Sequence, residues 1–171
     1  MSLTTPALHA AFLRPFGDHG RLLSDPRVKP ALIDLDLPYP PRLRVYLYNL
    51  VGGVGTVRDT EFKAVLRVPG QEVGEYASFD HSGGRLAVLV AYEAQLDVFV
   101  LWDASIHPEF KNGGNIQVRT STVLEAAATG MASQRRALAK VKTTEVVLAC
   151  QSWALPEAMD RRLALTGGEN A

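Results

Sequence analysis

The stretch GRLAVLVAYEAQLDVFVLWDASIHPEFKNGGNIQVR, Gly84–Arg119, decides how the chain reads. It opens with two nearly continuous apolar runs, Leu86–Tyr92 and Val98–Trp102, rich in Val and aromatics and joined by the short polar turn Glu93–Asp97. Runs of this length, bounded by turn residues, predict strands buried on both faces. The short connection predicts a hairpin. The second run leads into a polar loop, Asp103–Asn115, and a third strand, Ile116–Arg119, leaves that loop. A rigid apolar hairpin holding out a polar loop is where recognition or chemistry is expected.

Upstream of the hairpin, Arg42–Leu50 (RLRVYLYNL) alternates, with Leu43, Val45 and Leu47 on one side and Arg42, Arg44, Tyr46 and Tyr48 on the other. That period of two predicts a half-buried strand whose second face points outward. Glu61–Val68 alternates in the same way and ends at the turn Pro69-Gly70. Between the two lies VGGVGTVRD, Val51–Asp59, which reads as a turn: no Lys-Ser/Thr pair follows its glycines, and a strand comes next where a phosphate loop would need a helix. Nearer the N-terminus, Thr5-Pro6 predicts the start of a short helix within Leu3–Phe16, and the proline-rich Gly17–Pro41 predicts an irregular arm with a brief element at Ala31–Leu35.

Downstream, Thr120-Ser121-Thr122 predicts caps for a helix over Val123–Ala128, Ser133–Ala139 predicts a second helical stretch, and Thr144–Cys150 predicts a buried strand. Pro156–Leu165 predicts a terminal helix. About six strands, mostly sequential, with two or three flanking helices give an α+β domain around a curved antiparallel or mixed sheet or partial β-barrel. The expected organisation is a helix and arm over residues 1–41 packed on the domain, one domain over 42–165, and a tail over 166–171.

Composition narrows the class. Lys+Arg and Asp+Glu both number 18, so bulk charge does not make this a nucleic-acid-wrapping protein, though a local basic face remains open. The single cysteine, Cys150, excludes an internal disulfide and a cysteine-based zinc site and fits the cytoplasm, the expected compartment. No apolar run approaches the roughly 20 residues of a membrane helix, and the N-terminus lacks the basic segment of a signal peptide. No membrane association is expected.

Two groups of side chains suit nucleic acid. Arg44, Tyr46, Tyr48, Lys63, Arg67 and Arg119 fall on the expected outward strand faces, a mixture that can hold phosphates and stack bases. Between Glu125 and Glu145 no carboxylate occurs, while Arg135, Arg136, Lys140 and Lys142 do, which makes a locally positive segment. In the polar loop and the strand that leaves it, Asn112, Asn115 and Gln117 have the amides that read base edges, and Trp102, Asp103 and His107 sit at the root of the same loop.

Catalytic readings are weaker. Glu61-Phe62-Lys63 places a carboxylate and a lysine on one strand face, as a Mg²⁺-dependent nuclease would need. The same tripeptide recurs at Glu109-Phe110-Lys111, and the further carboxylate must come from Asp34, Asp36 or Asp59. Asp103, His107 and Glu109 have metal-ligand types without a metal-site spacing. Asp103, Ser105 and His107 have the types of a catalytic triad, crowded too closely in sequence to adopt its geometry.

The order Tyr46-Leu47-Tyr48-Asn49, Glu61-Phe62-Lys63-Ala64-Val65, Pro69-Gly70-Gln71, Val98–Ala104, His107, Phe110 and Asn115-Ile116-Gln117-Val118 resembles an N-terminal DNA-recognition domain found with HNH-type and other restriction endonucleases and with DNA methylases. The resemblance spans roughly Arg42–Leu155, and its most specific piece is FVLWDASIHPEF followed by NIQV. It implies a pseudobarrel of the SET-and-RING-associated or plant B3 type. It also implies a non-catalytic module that recognises specific or modified duplex DNA and directs a nuclease, with no cofactor of its own. With the sequence ending at Ala171, either the domain stands alone or a nuclease or methylase partner is separate. A nuclease using Glu61 and Lys63 with Mg²⁺, or a protein-interaction subunit, are the alternatives.

Overall fold

The computed structural model describes residues 2–53, 55–56, 59–138 and 142–166. Among the described residues twelve strands are present: β1 (Gly20–Leu22), β2 (Ala31–Leu35), β3 (Arg42–Asn49), β4 (Val51–Gly52), β5 (Glu61–Val65), β6 (Tyr76–Ala77), β7 (Leu86–Glu93), β8 (Val98–Trp102), β9 (Phe110–Lys111), β10 (Asn115–Arg119), β11 (Met131–Leu138) and β12 (Thr143–Gln151). Three α-helices accompany them: α1 (Thr5–Leu13), α2 (Thr120–Thr129) and α3 (Leu155–Ala164). The protein is a mixed α+β domain, and no closed barrel forms among the described residues.

The hairpin expected at the centre is there. β7 and β8 pair antiparallel, with Leu89 opposite Trp102 and Tyr92 opposite Phe99. They lie inside a seven-stranded sheet ordered β1-β2-β3-β7-β8-β12-β11. Its neighbours are antiparallel except β3 and β7, which run parallel. A parallel pair requires a crossover, so the chain between β3 and β7 leaves the sheet and returns. On that excursion it builds β4 and β5, which join β10 in a three-stranded antiparallel sheet ordered β10-β5-β4, and β6, which pairs with β9 in a two-stranded ribbon.

Both faces of the large sheet are covered. Leu8, Phe12 and Phe16 from the N-terminal helical region and Leu155 and Met159 from α3 pack on Val45, Leu47, Val90, Phe99 and Leu101. On the opposite face, Phe62, Ala64 and Leu66 from β5 and the turn after it, Ile116 and Val118 of β10, and Val123 and Ala126 of α2 meet Tyr46, Leu89, Val100, Trp102, Val147 and Ala149. This double cover is why β7 and β8 are apolar without alternation.

It also corrects the reading of β3. Tyr46 and Tyr48 point away from Leu43 and Val45 as expected, yet they are 2% and 4% exposed because the small sheet and α2 lie over them. Tyr46 Oη accepts from the Asp80 N–H and Tyr48 Oη donates to the Arg67 carbonyl.

Two segments differ from expectation. Ser133–Ala139, expected helical, falls largely in β11, an edge strand that pairs with β12 over its whole length. Ala, Gln and Arg do favour helix, but Gly130 at φ 99° ends α2, and the strand partner overrides local propensity. Gly17–Pro41, expected irregular apart from a brief element at Ala31–Leu35, contributes that element as β2 and also the unexpected β1 to one side of the large sheet. On the other side, the edge of β11 is partly capped by side chains: Arg119 donates to the Arg135 carbonyl and Thr129 Oγ1 to the Met131 carbonyl.

Candidate nucleic-acid interface

β5 and β10 show true one-sided alternation. Phe62, Ala64, Ile116 and Val118 are buried, whereas Lys63, Asn115 and Arg119 are exposed and Glu61, Val65 and Gln117 half-buried. In register, Arg119 lies opposite Glu61, Gln117 opposite Lys63 and Asn115 opposite Val65. The outward side of this pair is therefore a polar face backed by a packed core. Arg67, just beyond β5, is exposed beside the same edge.

At the Arg119 end the face drops into a groove of about 340 Å³ bounded by Thr60, Glu61, Gln117, Arg119, Gln134 and Arg136. Its side chains are held from within the protein. Gln117 Nε2 donates to Glu61 Oε1 at 3.1 Å. Gln134 Oε1 accepts from the Arg119 N–H at 2.9 Å and from Thr122 Oγ1 at 2.8 Å. Thr122, expected as a helix cap, is spent here instead, and α2 begins without a side-chain cap. Arg136 Nη1 donates to the Gln117 carbonyl at 3.1 Å, as does Trp102 Nε1 at 3.2 Å.

Behind the groove lies a buried charged cluster. Glu145, wholly inaccessible, accepts from the Asp103 N–H at 2.9 Å through Oε2, and His107 Nε2 is 2.8 Å from the same oxygen. Arg136 Nε stands 3.5 Å from Glu145 Oε1. Asp103 in turn accepts from the Ser105 N–H and hydroxyl, at 3.0 and 2.6 Å, and faces Arg162 at 3.6 Å. Burial lowers the pKa of the Arg162 guanidinium, and the charges of Asp103 and Glu145 oppose that shift. The root of the hairpin loop is thus a support that fixes Arg136, with Trp102 in the core below it. Among the described residues no group of three His, Cys, Asp or Glu side chains could hold a metal ion. Glu61 and Lys63 do share a strand face, where Glu61 positions Gln117.

The structure brings together Lys63, Asn115, Gln117, Arg119 and Arg136. It sets the other candidates elsewhere. Arg44 donates to the Asp80 and Ser82 carbonyls. Asn112 is buried and closes the loop backbone, accepting from the Val68 N–H and donating to the Gln71 carbonyl. Tyr46, Tyr48, Trp102 and Asp103 are in the core, and His107 is tied to Glu145. Arg135 and Arg136, expected side by side on a helix, project to opposite sides of β11. Arg135 borders a separate groove of about 380 Å³ with Val146, Leu148 and Arg161. Lys140 lies outside the described residues.

Sequence reading missed Gln134, Glu145 and Arg162. Glu145 carried a usable signal, because a carboxylate inside the apolar run TEVVLAC must find partners if that run is buried. Gln134 was hidden by the helical reading of its segment.

The family model described as Methylase-associated X1 matches residues 41–159. The chain belongs to this family. No curated protein and no solved structure matches it. The methylase-associated X1 match runs from the start of β3 into α3, so it includes every residue of the polar face and its groove. The association with methylases that the resemblance implied is therefore carried by the family itself and points to restriction–modification systems. No described helix is long and apolar enough to cross a membrane.

Proposed function

We propose that this methylase-associated X1 domain is a non-catalytic DNA-binding module of a restriction–modification system, which recognises specific or modified duplex DNA and directs a nuclease or methylase partner to it. The observation that carries this reading is the exposed side of β5 and β10, where Lys63 and Arg119 supply charge and Asn115 and Gln117 supply amides, with Arg136 at the groove beyond. Cations on such a face suit phosphate contacts, and amides suit base edges. A strand advances about 3.3 Å per residue and only every second side chain lies on one face, so side chains of this face recur at ~6.6 Å, about two of the ~3.4 Å axial steps between charges on one DNA strand. In this reading the module needs no cofactor.

Titration with unmodified, cytosine-modified and adenine-modified duplexes at two salt concentrations tests the proposal. Binding that weakens with salt and with Lys63→Ala and Arg119→Ala is expected. Absence of binding to every duplex at low salt defeats it. Adding Mg²⁺ or Mn²⁺ to the same samples reports the competing nuclease reading through cleavage that depends on Glu61 and Lys63.

A further inference from the structure

Two amides share the groove, and each is held in one orientation. Gln134 Oε1 receives two donors, the Arg119 N–H and the Thr122 hydroxyl, so its Nε2 hydrogens are turned away from both. Gln117 spends an Nε2 hydrogen on Glu61 Oε1, so its Oε1 remains an acceptor. No further partner for Gln117 Oε1 or Gln134 Nε2 is found among the described residues. The groove therefore offers a fixed acceptor and a fixed donor between two cationic side chains, Arg119 and Arg136.

We infer that the groove reads the edge of a nucleobase on which an exocyclic amine stands beside an unprotonated ring nitrogen, with Gln117 Oε1 accepting from the amine and Gln134 Nε2 donating to the nitrogen. Adenine carries that edge in the major groove, N6 beside N7, whereas cytosine carries it, N4 beside N3, only when flipped out of its pair with guanine. Guanine presents two acceptors, O6 and N7, in the major groove and thymine presents O4, so either sets an acceptor against Gln117 Oε1. The arrangement is preorganised because Glu61, Thr122 and the Arg119 backbone, none of which needs to move, hold the amides before any ligand arrives. Glu61 thereby has a recognition role as the residue that orients Gln117. A methyl group on the amine would enter the same contact, which gives the groove a direct way to sense that mark.

The inference rests on the DNA-binding reading, and its test separates the two. The full chain is first used to select from a randomised duplex pool. At each enriched base pair, adenine is then replaced by purine, which lacks only the amine, or cytosine by 2-pyrimidinone, likewise lacking it; these two arms distinguish the bases. Loss of the amine is expected to lower affinity roughly 5- to 150-fold at one pair. Gln117→Leu, checked for a native melting transition, is expected to show little or none of that loss. Duplex binding with no enriched pair, an unchanged affinity after amine removal at every enriched pair, or the same loss in Gln117→Leu overturns the inference while leaving DNA binding intact. Failure to bind any duplex overturns both.

Discussion

Arg136 and Glu145 are partners across the β11–β12 ladder, and the guanidinium of the first stands 3.5 Å from the buried carboxylate of the second. Glu145 is fully enclosed and also serves the Asp103 N–H and His107. Glu145→Ala is expected to leave those groups without their partner and to cost about 3–5 kcal/mol. Glu145→Gln keeps one oxygen acceptor and is expected to cost less. Urea unfolding of both variants checks the order.

The cations of the polar face are expected to act through phosphates. Lys63→Ala and Arg119→Ala should each lower the slope of log affinity against log salt by about one, with a similar effect on every duplex sequence. Arg135→Ala, which alters the opposite side of β11, should leave the slope unchanged. A salt series with fluorescent duplexes distinguishes these outcomes. A helical arrangement of this segment would instead make Arg135 and Arg136 neighbours on one basic surface.

His9 gives the fold an acid-sensitive point. It sits in α1 at 1% exposure, and burial lowers its pKa, with the charge of Lys29 acting in the same direction and the Pro26 carbonyl opposing. The folded state therefore holds the ring neutral, while an unfolded histidine takes a proton below about pH 6.5. With the folded pKa below the unfolded one, this contribution is fully present above pH 6.5 and is lost as pH falls from there through the folded pKa. Melting temperatures between pH 7.5 and 5.5 are expected to fall more steeply for the wild type than for His9→Leu.

Gly130 ends α2 at φ 99°, and a Cβ there would come within 2.4 Å of the Trp153 ring. Gly130→Ala should cost about 1–3 kcal/mol through backbone strain and should shift Trp153 fluorescence as the ring is displaced. Adding Trp153→Ala is expected to remove the clash and recover only part of the loss, since the strained backbone remains. Denaturant unfolding of the single and double variants measures the share.

Cys150 reports on the core. Burial, aided by the charge of Asp97, pushes its thiol up to about 12. At pH 8 it should resist a thiol reagent in the folded protein and react promptly once urea unfolds the chain.

The hairpin β7–β8, the alternation of β5 and the terminal helix were legible because each rests on a local period. What was not legible depended on tertiary cover. Tyr46 and Tyr48 alternate as they would on an exposed face, and only the second layer built by β5, β10 and α2 puts them inside. β11 was unreadable for a related reason: its residues favour helix in isolation, and the strand exists because β12 folds back along it. The polar face was half visible, since Lys63, Asn115, Gln117 and Arg119 could be chosen by type. Their convergence with Arg136 and Gln134 required the β5–β10 register and the side of β11 from which Arg136 projects. Asn112, chosen for its amide, turned out to serve the loop backbone, a use equally open to that side chain.

The parallel pairing of β3 with β7 has one last consequence. Because those strands run parallel, the excursion leaves at the Asn49 end of β3 and re-enters at Leu86, opposite Leu43 at the other end, and the passage from β8 through β10 and α2 re-enters at β11, one strand beyond β8 across β12. Lys63, Asn115, Gln117 and Arg119 are thus carried on two detours from a large sheet whose own hydrogen bonding they do not interrupt. Replacement of residues 50–85 and 103–130 is therefore expected to remake the polar face while the strand pairing of the large sheet stays as it is.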